Sequence, residues 1–289
     1  MGVFGTVGIF VREMSLPSGF IAMARGFLGA GFIFLFMLLL GRLPSLSSIK
    51  KNLLPLILSG AFIGINWILL FESYSYVGVS TATLCYYMAP IFVIIASPFV
   101  LSERVGGIRL ICVAVALVGM ILVSEPWKDD FSDGSLIGIL LALGAALFYA
   151  SVTLTNKKMK DISSTDLTVV QLFVAAVVIT PYTLIAERTS GDMFDSKTVI
   201  LLVTLGILHT GVCYLLYFSS IKGLSAETVA IFGYIDPIVA LLLSALILSE
   251  KMTPFGIIGA VLILFATLAS EILPSVFQGV KEENTKTEN

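Results

Sequence analysis

An apolar segment near the end of this chain repeats an earlier one at an offset of 147 residues. Residues 71–104 align without gaps with residues 218–251, and ten of the 34 positions are identical. The identities include Tyr87 with Tyr234 and Pro90 with Pro237, and both copies contain the triplet Leu-Ser-Glu near their ends. A duplicated apolar unit restricts the chain to membrane architectures in which two similar halves pack against each other, with a transport pathway at their interface.

Composition agrees with a membrane location. Hydrophobic residues make up 57% of the chain, charged residues make up 12%, and the mean hydropathy is +1.03. A soluble domain of this composition would expose far too much apolar surface. The chain has no basic patch or recognition motif for nucleic acid. Its three cysteines lie inside apolar segments without metal-ligand spacing, so we expect no metal site.

The sequence predicts an all-α membrane protein with ten transmembrane helices joined by short loops. The polar gap at 125–134 divides these helices into two units of five, at 1–124 and 135–272, and a polar tail follows at 273–289. The predicted spans are 1–14, 17–40, 53–74, 79–100, 106–124, 135–156, 164–186, 197–220, 225–248 and 254–273.

Five is an odd number, so a second unit that follows the first directly must enter the membrane from the opposite side. The two units are therefore expected to be inverted repeats. With the N-terminus in the cytoplasm, the inner connections carry eleven lysines and arginines and the outer ones carry five. This asymmetry satisfies the positive-inside rule and places both termini in the cytoplasm.

The first predicted helix is short. Aligning Phe4 with Phe148 leaves three residues before that point in the first span and 13 in the sixth. About 14 residues rising 1.5 Å each cover roughly 21 Å of a 30 Å core. We expect either an N-terminally shortened chain or a short, tilted helix with local thinning of the bilayer.

Arg25 lies about eight residues into the second predicted span, deeper than the basic residues near the ends of other spans. An ionisable group at membrane depth is costly unless it is paired or hydrated, which makes it a candidate functional residue. One interpretation is a guanidinium that binds a solute carboxylate in a central cavity, and the other is a structural ion pair with Glu72. The repeat places Gln171 at about the equivalent position.

Asp236 and His209 lie near the middle of their predicted spans, where the repeat offers no second carboxylate. A carboxylate and an imidazole in a dry cavity could exchange protons, which would make protons the coupling ion. Alternatively, Asp236 binds helix backbone freed by Pro237, and His209 is a neutral donor between helices.

Pro90 and Pro237 are expected to break the fourth and ninth helices at equivalent points, because proline removes a backbone donor. Aromatic residues cluster near these points in the sequence, and a cavity that they line would suit an aromatic or amphipathic metabolite. Packing alone is the alternative for each of them. The candidate binding residues, besides Arg25, are Asn66, Trp67, Tyr86, Tyr87, Tyr214 and Tyr234. The two segments Ser102-Glu103-Arg104 and Ser249-Glu250-Lys251 are interpreted as exposed turns and helix caps.

Three stretches carry a resemblance to a known family: Phe4-Gly5-Thr6 with Arg25-Gly26, then Ala89-Pro90 with Leu101-Ser102-Glu103, and Asp236-Pro237 with Leu248-Ser249-Glu250. This pattern resembles the drug/metabolite transporter superfamily, and within it the duplicated EamA transporters. The resemblance spans both five-helix units, which would be two EamA domains. It implies a ten-helix carrier of the cytoplasmic membrane that often exports amino acids or related metabolites.

We therefore expect a secondary transporter that moves a small organic solute, amino acid-like and exported, by alternating access between the repeats. A multidrug exporter, an uptake carrier and a non-transporting membrane scaffold or sensor are the alternatives. An enzyme is not expected, because the chain has one histidine and no nucleotide-binding or hydrolase motif. The expected partners are a small solute, the lipid bilayer and, if coupled, protons; no cofactor is expected.

Overall fold

The structure is a computed structural model that describes residues 2–102, 105–125, 127, 133–220, 232 and 235–287; for residues 133, 192, 217–220 and 274–287 it describes the backbone alone. Every regular element among these residues is helical. The helices are α1 (Val7–Arg12), α2 (Ser18–Leu39), α3 (Leu46–Lys51), α4 (Leu53–Tyr86), α5 (Ala89–Leu101), α6 (Gly107–Ser124), α7 (Asp133–Lys157), α8 (Ser164–Ala186), α9 (Ser196–Thr204), α10 (Cys213–Ser220), α11 (Ile235–Ile247) and α12 (Pro254–Thr287). A 3-10 turn at Phe4–Thr6 precedes α1, and a π-helix at Leu205–Val212 joins α9 to α10.

Seven segments in the described part of the chain are long and apolar enough to cross a membrane: Ser18–Leu39, Leu53–Tyr86, Gly107–Ser124, Gly134–Lys157, Ser164–Ala186, Ser196–Leu216 and Pro254–Leu273. Two shorter apolar helices accompany them, Ala89–Leu101 and Ile235–Ile247. The protein is therefore a multi-pass membrane protein built from helices, as the sequence predicts.

The difference between seven long segments and ten predicted spans has identifiable causes. The predicted third and fourth spans form one continuous element, α4, but Gly78 interrupts it with φ 75° and ψ 171°. Only glycine adopts such a backbone readily, so the chain turns at the predicted boundary. The fourth span is then interrupted again at Tyr87 and Met88, before α5 begins. Of the predicted first span, the structure contains the 3-10 turn and the six residues of α1.

Small residues let the helices of the bundle approach closely. A Cβ on Gly60 would lie 2.7 Å from the Val174 side chain of α8, and one on Gly64 would lie 3.0 Å from the Ala175 carbonyl oxygen. This packing of α4 on α8 is typical of membrane helices, whose association depends on close van der Waals contact.

A close contact of backbone against backbone joins α6 to α12. A Cβ on Gly259 would lie 2.5 Å from the Gly119 carbonyl oxygen, and one on Gly119 would lie 2.8 Å from the Gly259 carbonyl oxygen. Because backbone cannot move aside as a side chain can, we expect Gly259→Ala to cost about 1–3 kcal/mol. Thermal unfolding of purified protein measures this. Gly31→Ala is the matched control, because a Cβ there meets nothing within 4 Å and alanine favours the helix. An unchanged melting temperature for Gly259→Ala would contradict the close contact.

Two carboxylates hold the beginnings of helices to which they are not joined in sequence. Glu187, after α8, accepts hydrogen bonds from the backbone N–H groups of Gly19 (2.7 Å) and Phe20 (2.8 Å) at the start of α2. Glu250, after α11, accepts hydrogen bonds from Val79 (2.9 Å) and Ser80 (3.0 Å), where helix resumes after Gly78. Both satisfy N–H groups that a helix leaves without partners, and they place negative charge at its positive end.

The interpretation of the segment at 249–251 as a turn and cap agrees with this structure, with one addition. Ser249 adopts the left-handed conformation after α11 (φ 56°), and Ser102 does the same after α5 (φ 57°). Glu250 caps a helix in the other half of the chain, which the sequence did not predict. Glu103 and Arg104 lie outside the described residues.

Candidate functional site

Arg25 lies inside the bundle, on α2, with 5% of its surface exposed. Its guanidinium carbon is 4.3 Å from the centre of the Trp67 ring and 5.8 Å from that of Phe71. Trp67 and Phe71 are four residues apart on α4, so helical spacing places both rings on one face. A planar cation held over aromatic faces in a low-dielectric site gains a favourable electrostatic interaction and keeps a fixed orientation.

The π-helix supplies the hydrogen-bonding partner of Arg25. Its Nε donates to Thr210 Oγ1 at 2.7 Å, and this hydroxyl in turn donates to the Leu205 carbonyl oxygen at 3.0 Å. That carbonyl lies five residues back, which is the spacing of the widened π turn. Single π turns inside α-helices often mark functional sites. The contact joins α2 in the first half of the chain to an element in the second half.

Arg25 has no acidic partner among the described residues. Among the residues that the structure describes, no carboxylate lies within ion-pair distance of its guanidinium. The alternative of a structural pair with Glu72 is therefore wrong, since Glu72 accepts a hydrogen bond from Ser18 Oγ instead, at 2.9 Å. Asp236 is not within that distance either, and its carboxylate accepts the hydrogen bond of the Tyr87 hydroxyl. A buried cation without a counter-ion can accept an anionic group from a ligand.

Gln171, at the equivalent position in the repeat, makes different contacts. Its Nε2 donates to Ser59 Oγ and to Asn156 Oδ1, each at 2.7 Å. The amide thus joins α4, α7 and α8 through neutral hydrogen bonds. Its place in the bundle is structural, and the charged position occurs in one half of the chain only.

Asp236 meets Tyr87 across the two halves of the chain. The Tyr87 hydroxyl donates to Asp236 Oδ2 at 2.9 Å. Tyr87 follows α4 at the interruption before α5, and Asp236 is the second residue of α11. The 147-residue repeat aligns Tyr87 with Tyr234, two residues before Asp236. This hydrogen bond therefore joins the break after α4, in the first half of the chain, to the start of α11, in the second half.

The prolines lie at the beginnings of helices. Pro90 is the second residue of α5 and Pro237 is the third residue of α11. A proline in the first turn needs no backbone donor and has a favourable φ. In the first half the interruption itself lies just before Pro90, at Tyr87 and Met88.

His209 lies apart from Asp236. Its Nε2 is 2.6 Å from Thr6 Oγ1, its ring packs 4.7 Å from the ring of Phe10, and it is buried. Its Nδ1 lies 3.4 Å from the Thr204 carbonyl oxygen. Neither nitrogen contacts Asp236, so the structure does not bring together the pair that the sequence placed at a similar depth. His209 and Thr210 instead attach the π-helix to the first turn and to α2.

Of the other candidate residues, one is an amide that joins two helices, and two are tyrosines whose rings pack against other rings. Asn66 Nδ2 donates to the Ala145 carbonyl oxygen at 2.6 Å and ties α4 to α7. The rings of Tyr86 and Tyr149 pack at 5.5 Å, and those of Tyr214 and Phe4 at 5.6 Å, around the region of Arg25. Tyr234 lies outside the described residues.

Sequence reasoning did not single out Thr210 or Phe71, and it named Thr6 only as part of the family resemblance. The spacing of Phe71 after Trp67 is a signal that could have identified it. Thr210 carries no comparable signal, because a hydroxyl in an apolar helix most often bonds to its own backbone. Within the described part of the chain, no three metal-ligating side chains come together.

Known proteins resemble this chain over nearly its whole length. The model of the EamA-like transporter family matches residues 1–125 and 136–270. An uncharacterized transporter of Bacillus subtilis, YxxF, is 28% identical over 270 residues, covering 93% of this chain and 86% of the relative. A probable amino-acid metabolite efflux pump of Escherichia coli is 28% identical over 188 residues, 60% of each chain.

Two further similarities concern a shorter segment and the fold. A riboflavin transporter of Vibrio cholerae is 35% identical over 121 residues, covering 42% of this chain and 38% of the relative. A solved crystal structure superimposes with a TM-score of 0.68 over 94% of both chains at 15% identity. At that identity, the superposition concerns the fold alone.

Proposed function

This chain belongs to the EamA-like transporter family, and we propose that it is a secondary transporter for a small organic solute that carries an acidic group. Its family consists of membrane transporters and not of enzymes. The observation that carries the proposal is the buried guanidinium of Arg25, which has two aromatic rings beneath it and no carboxylate partner among the described residues. A solute carboxylate would supply the missing charge, and a planar fork of donors binds it in two places.

We propose an amino acid-like metabolite as the solute and export as the direction. The Escherichia coli relative is named a probable amino-acid metabolite efflux pump, which supports this choice. The riboflavin transporter points to a second candidate, an aromatic solute without a carboxylate. The rings around Arg25 would suit that solute, but a solute without a carboxylate would leave the charge of the guanidinium uncompensated. A multidrug exporter or an uptake carrier remains the alternative, and a non-transporting scaffold or sensor belongs to a different class.

We propose that the architecture consists of two inverted five-helix repeats, at 1–124 and 135–272, with ten membrane helices and both termini in the cytoplasm. The matched features support it: left-handed serines 147 residues apart end α5 and α11, and prolines at the same offset lie in the first turns of these helices. In this arrangement the solute cavity lies between the repeats, near the interruption at Tyr87. Trp67, Tyr86 and Tyr214 would contact the body of the solute, with Tyr234 as a further candidate.

Transport by purified protein in liposomes tests the proposal. The assay uses labelled amino acids and nucleosides under an imposed pH gradient. We expect uptake of at least one acid-bearing solute and none in liposomes without protein. Transport of nucleosides alone would contradict the proposed role of Arg25.

Asp236 is the proposed coupling residue, and we expect Asp236→Asn to remove about nine-tenths of the transport driven by a pH gradient. Asparagine retains an oxygen that accepts the Tyr87 hydrogen bond but cannot exchange a proton. Solute exchange without a gradient should be less affected. Comparing the two modes in the same liposomes measures this.

His209→Gln tests the other coupling candidate in the same assay, and Tyr76→Phe is the control because Tyr76 is an exposed tyrosine on α4. Gradient-driven transport that is unchanged in Asp236→Asn would contradict the role of this carboxylate. If gradient-driven transport is lost in His209→Gln alone, the coupling residue is His209 and not Asp236.

A further inference from the structure

A cavity of about 360 Å³ has a lining that includes neither Arg25 nor the two aromatic rings that contact it. Three helices form it: α4 contributes Ile65, Leu69 and Glu72, α7 contributes Leu141, and α8 contributes Val178 and Tyr182. Along α4 the distance from Ile65 to Glu72 is about 10 Å at 1.5 Å per residue. The cavity is thus a narrow apolar groove with a carboxylate at one end.

This groove opens toward the bilayer. Val178 is 40% exposed and Tyr182 is 47% exposed, and both belong to a segment long and apolar enough to span a membrane. The medium that fills a lateral groove at this depth is lipid, whose acyl chains match the apolar wall. Tyr182 lies near the end of α8, the level at which tyrosine is enriched in membrane proteins.

Glu72 is unusual at this position because no described residue provides it with a cationic partner. It lies six residues before the turn at Gly78, about 9 Å along the helix. Its Oε2 accepts the hydrogen bond from Ser18, and no basic side chain in the described part of the chain forms an ion pair with it. A carboxylate at membrane depth is costly unless a positive group accompanies it. The groove beside it is where such a group fits.

The surroundings favour a cation that also carries a phosphate. Glu187 carries a like charge near Glu72, although its own oxygens are already bound to the start of α2. Thr183, one turn beyond the groove-lining Ile179 on α8, has a buried hydroxyl without a partner among the described residues. Arg188 follows Glu187 in the chain and is exposed. One carboxylate therefore lies at the groove, and a second carboxylate and an arginine follow the end of α8.

We propose that this groove binds a membrane phospholipid whose headgroup carries a primary ammonium. An acyl chain would lie along Ile65 and Leu69, the ammonium would bind Glu72, and the phosphate would reach Arg188. A primary ammonium offers three N–H donors to a carboxylate, whereas a quaternary ammonium offers none. The occupied groove would hold the start of α2, the helix that carries Arg25, through the Ser18 hydrogen bond to Glu72.

Native mass spectrometry of the full chain in neutral detergent tests this, with phosphatidylethanolamine, phosphatidylcholine and phosphatidylglycerol of identical acyl chains. We expect phosphatidylethanolamine to bind about tenfold more tightly than the other two, as one charge-assisted hydrogen-bonded contact predicts. Glu72→Gln should abolish that preference while it keeps an oxygen for Ser18. Glu271→Gln, which changes an exposed carboxylate on α12, should leave the preference unchanged.

Val178→Trp provides a second test, because it fills the groove and leaves the charge of Glu72 intact. It should lower the binding of phosphatidylethanolamine to the level of phosphatidylcholine. Equal binding of the three lipids, or a preference that survives Glu72→Gln, would overturn the proposal. Tighter binding of dodecylammonium than of phosphatidylethanolamine would also overturn it, since the groove would then be a site for organic cations.

Discussion

Replacing Arg25 with methionine is expected to reduce binding of the acid-bearing solute at least about 100-fold and to abolish its transport. The reason is that the guanidinium supplies the charge for a solute carboxylate, and a bidentate charged contact in a low-dielectric site accounts for an effect of this size. Isothermal titration with purified protein, or transport in liposomes, measures the change. Arg25→Lys should recover little, because an ammonium neither forms the planar fork nor stacks on Trp67 as a guanidinium does.

The stability of the same variant distinguishes a binding role from a structural one. Arg25 makes one hydrogen bond, to Thr210, and has no acidic partner within ion-pair distance among the described residues. A buried charge in that condition disfavours folding, and an apolar side chain of similar length relieves it. We therefore expect the melting temperature of Arg25→Met to be unchanged or raised. A lowered melting temperature together with normal binding would contradict the assignment. Arg42→Ala, on the surface, is the control for charge.

Replacing Glu250 with alanine is expected to lower the free energy of unfolding by roughly 3 kcal/mol, the value of several hydrogen bonds to a charged acceptor in a partly exposed site. The carboxylate accepts hydrogen bonds from the backbone of Val79 and Ser80 and from Ser244 Oγ at 2.5 Å. All three donors would lose their partner at once. Thermal or denaturant unfolding in detergent measures the loss.

Two further variants sharpen this test. Glu250→Gln should lower the free energy of unfolding nearly as much. The NH₂ group of the glutamine side chain would face a backbone N–H, and two donors cannot form a hydrogen bond. Glu13→Gln is the matched control, because Glu13 also forms a contact between distant parts of the chain. Its ion pair with Lys197 is exposed, with the side chains 42% and 60% accessible, and such pairs contribute about 1 kcal/mol or less. Equal effects of Glu250→Ala and Glu13→Gln would contradict the capping role.

The sequence predicted much of the fold because a bilayer leaves few possibilities. Long apolar runs must be helices in lipid, so the positions of most segments followed from composition alone. The interruption at Gly78 was located correctly for a similar reason, since a short polar connection separates two runs. Pro90 predicted a break in the fourth helix, and the structure has the interruption just before this proline, at Tyr87 and Met88, so that α5 begins at Ala89. The exact residues of that break depend on local backbone geometry, which hydropathy does not report.

The candidate site was predicted in part. Depth in the membrane identified Arg25, and the structure gives it the aromatic neighbours Trp67 and Phe71. Depth alone also paired His209 with Asp236, and there it misled, because two residues at one level of a bundle can face different helices. Thr210 and the cap formed by Glu250 depend on contacts between the two halves of the chain. Such contacts form only when the two repeats pack together, so the sequence pattern of one repeat does not predict them.

Counterflow in liposomes tests the central claim most directly. Liposomes that contain purified protein are loaded with an unlabelled amino acid, and a trace of the labelled amino acid is added outside. A carrier that alternates between two faces and binds a carboxylate at Arg25 should accumulate the label transiently. The corresponding amino acid amide should not accumulate, and Arg25→Met should show no accumulation of either. Entry of the label without transient accumulation, or equal accumulation of acid and amide, would contradict the account.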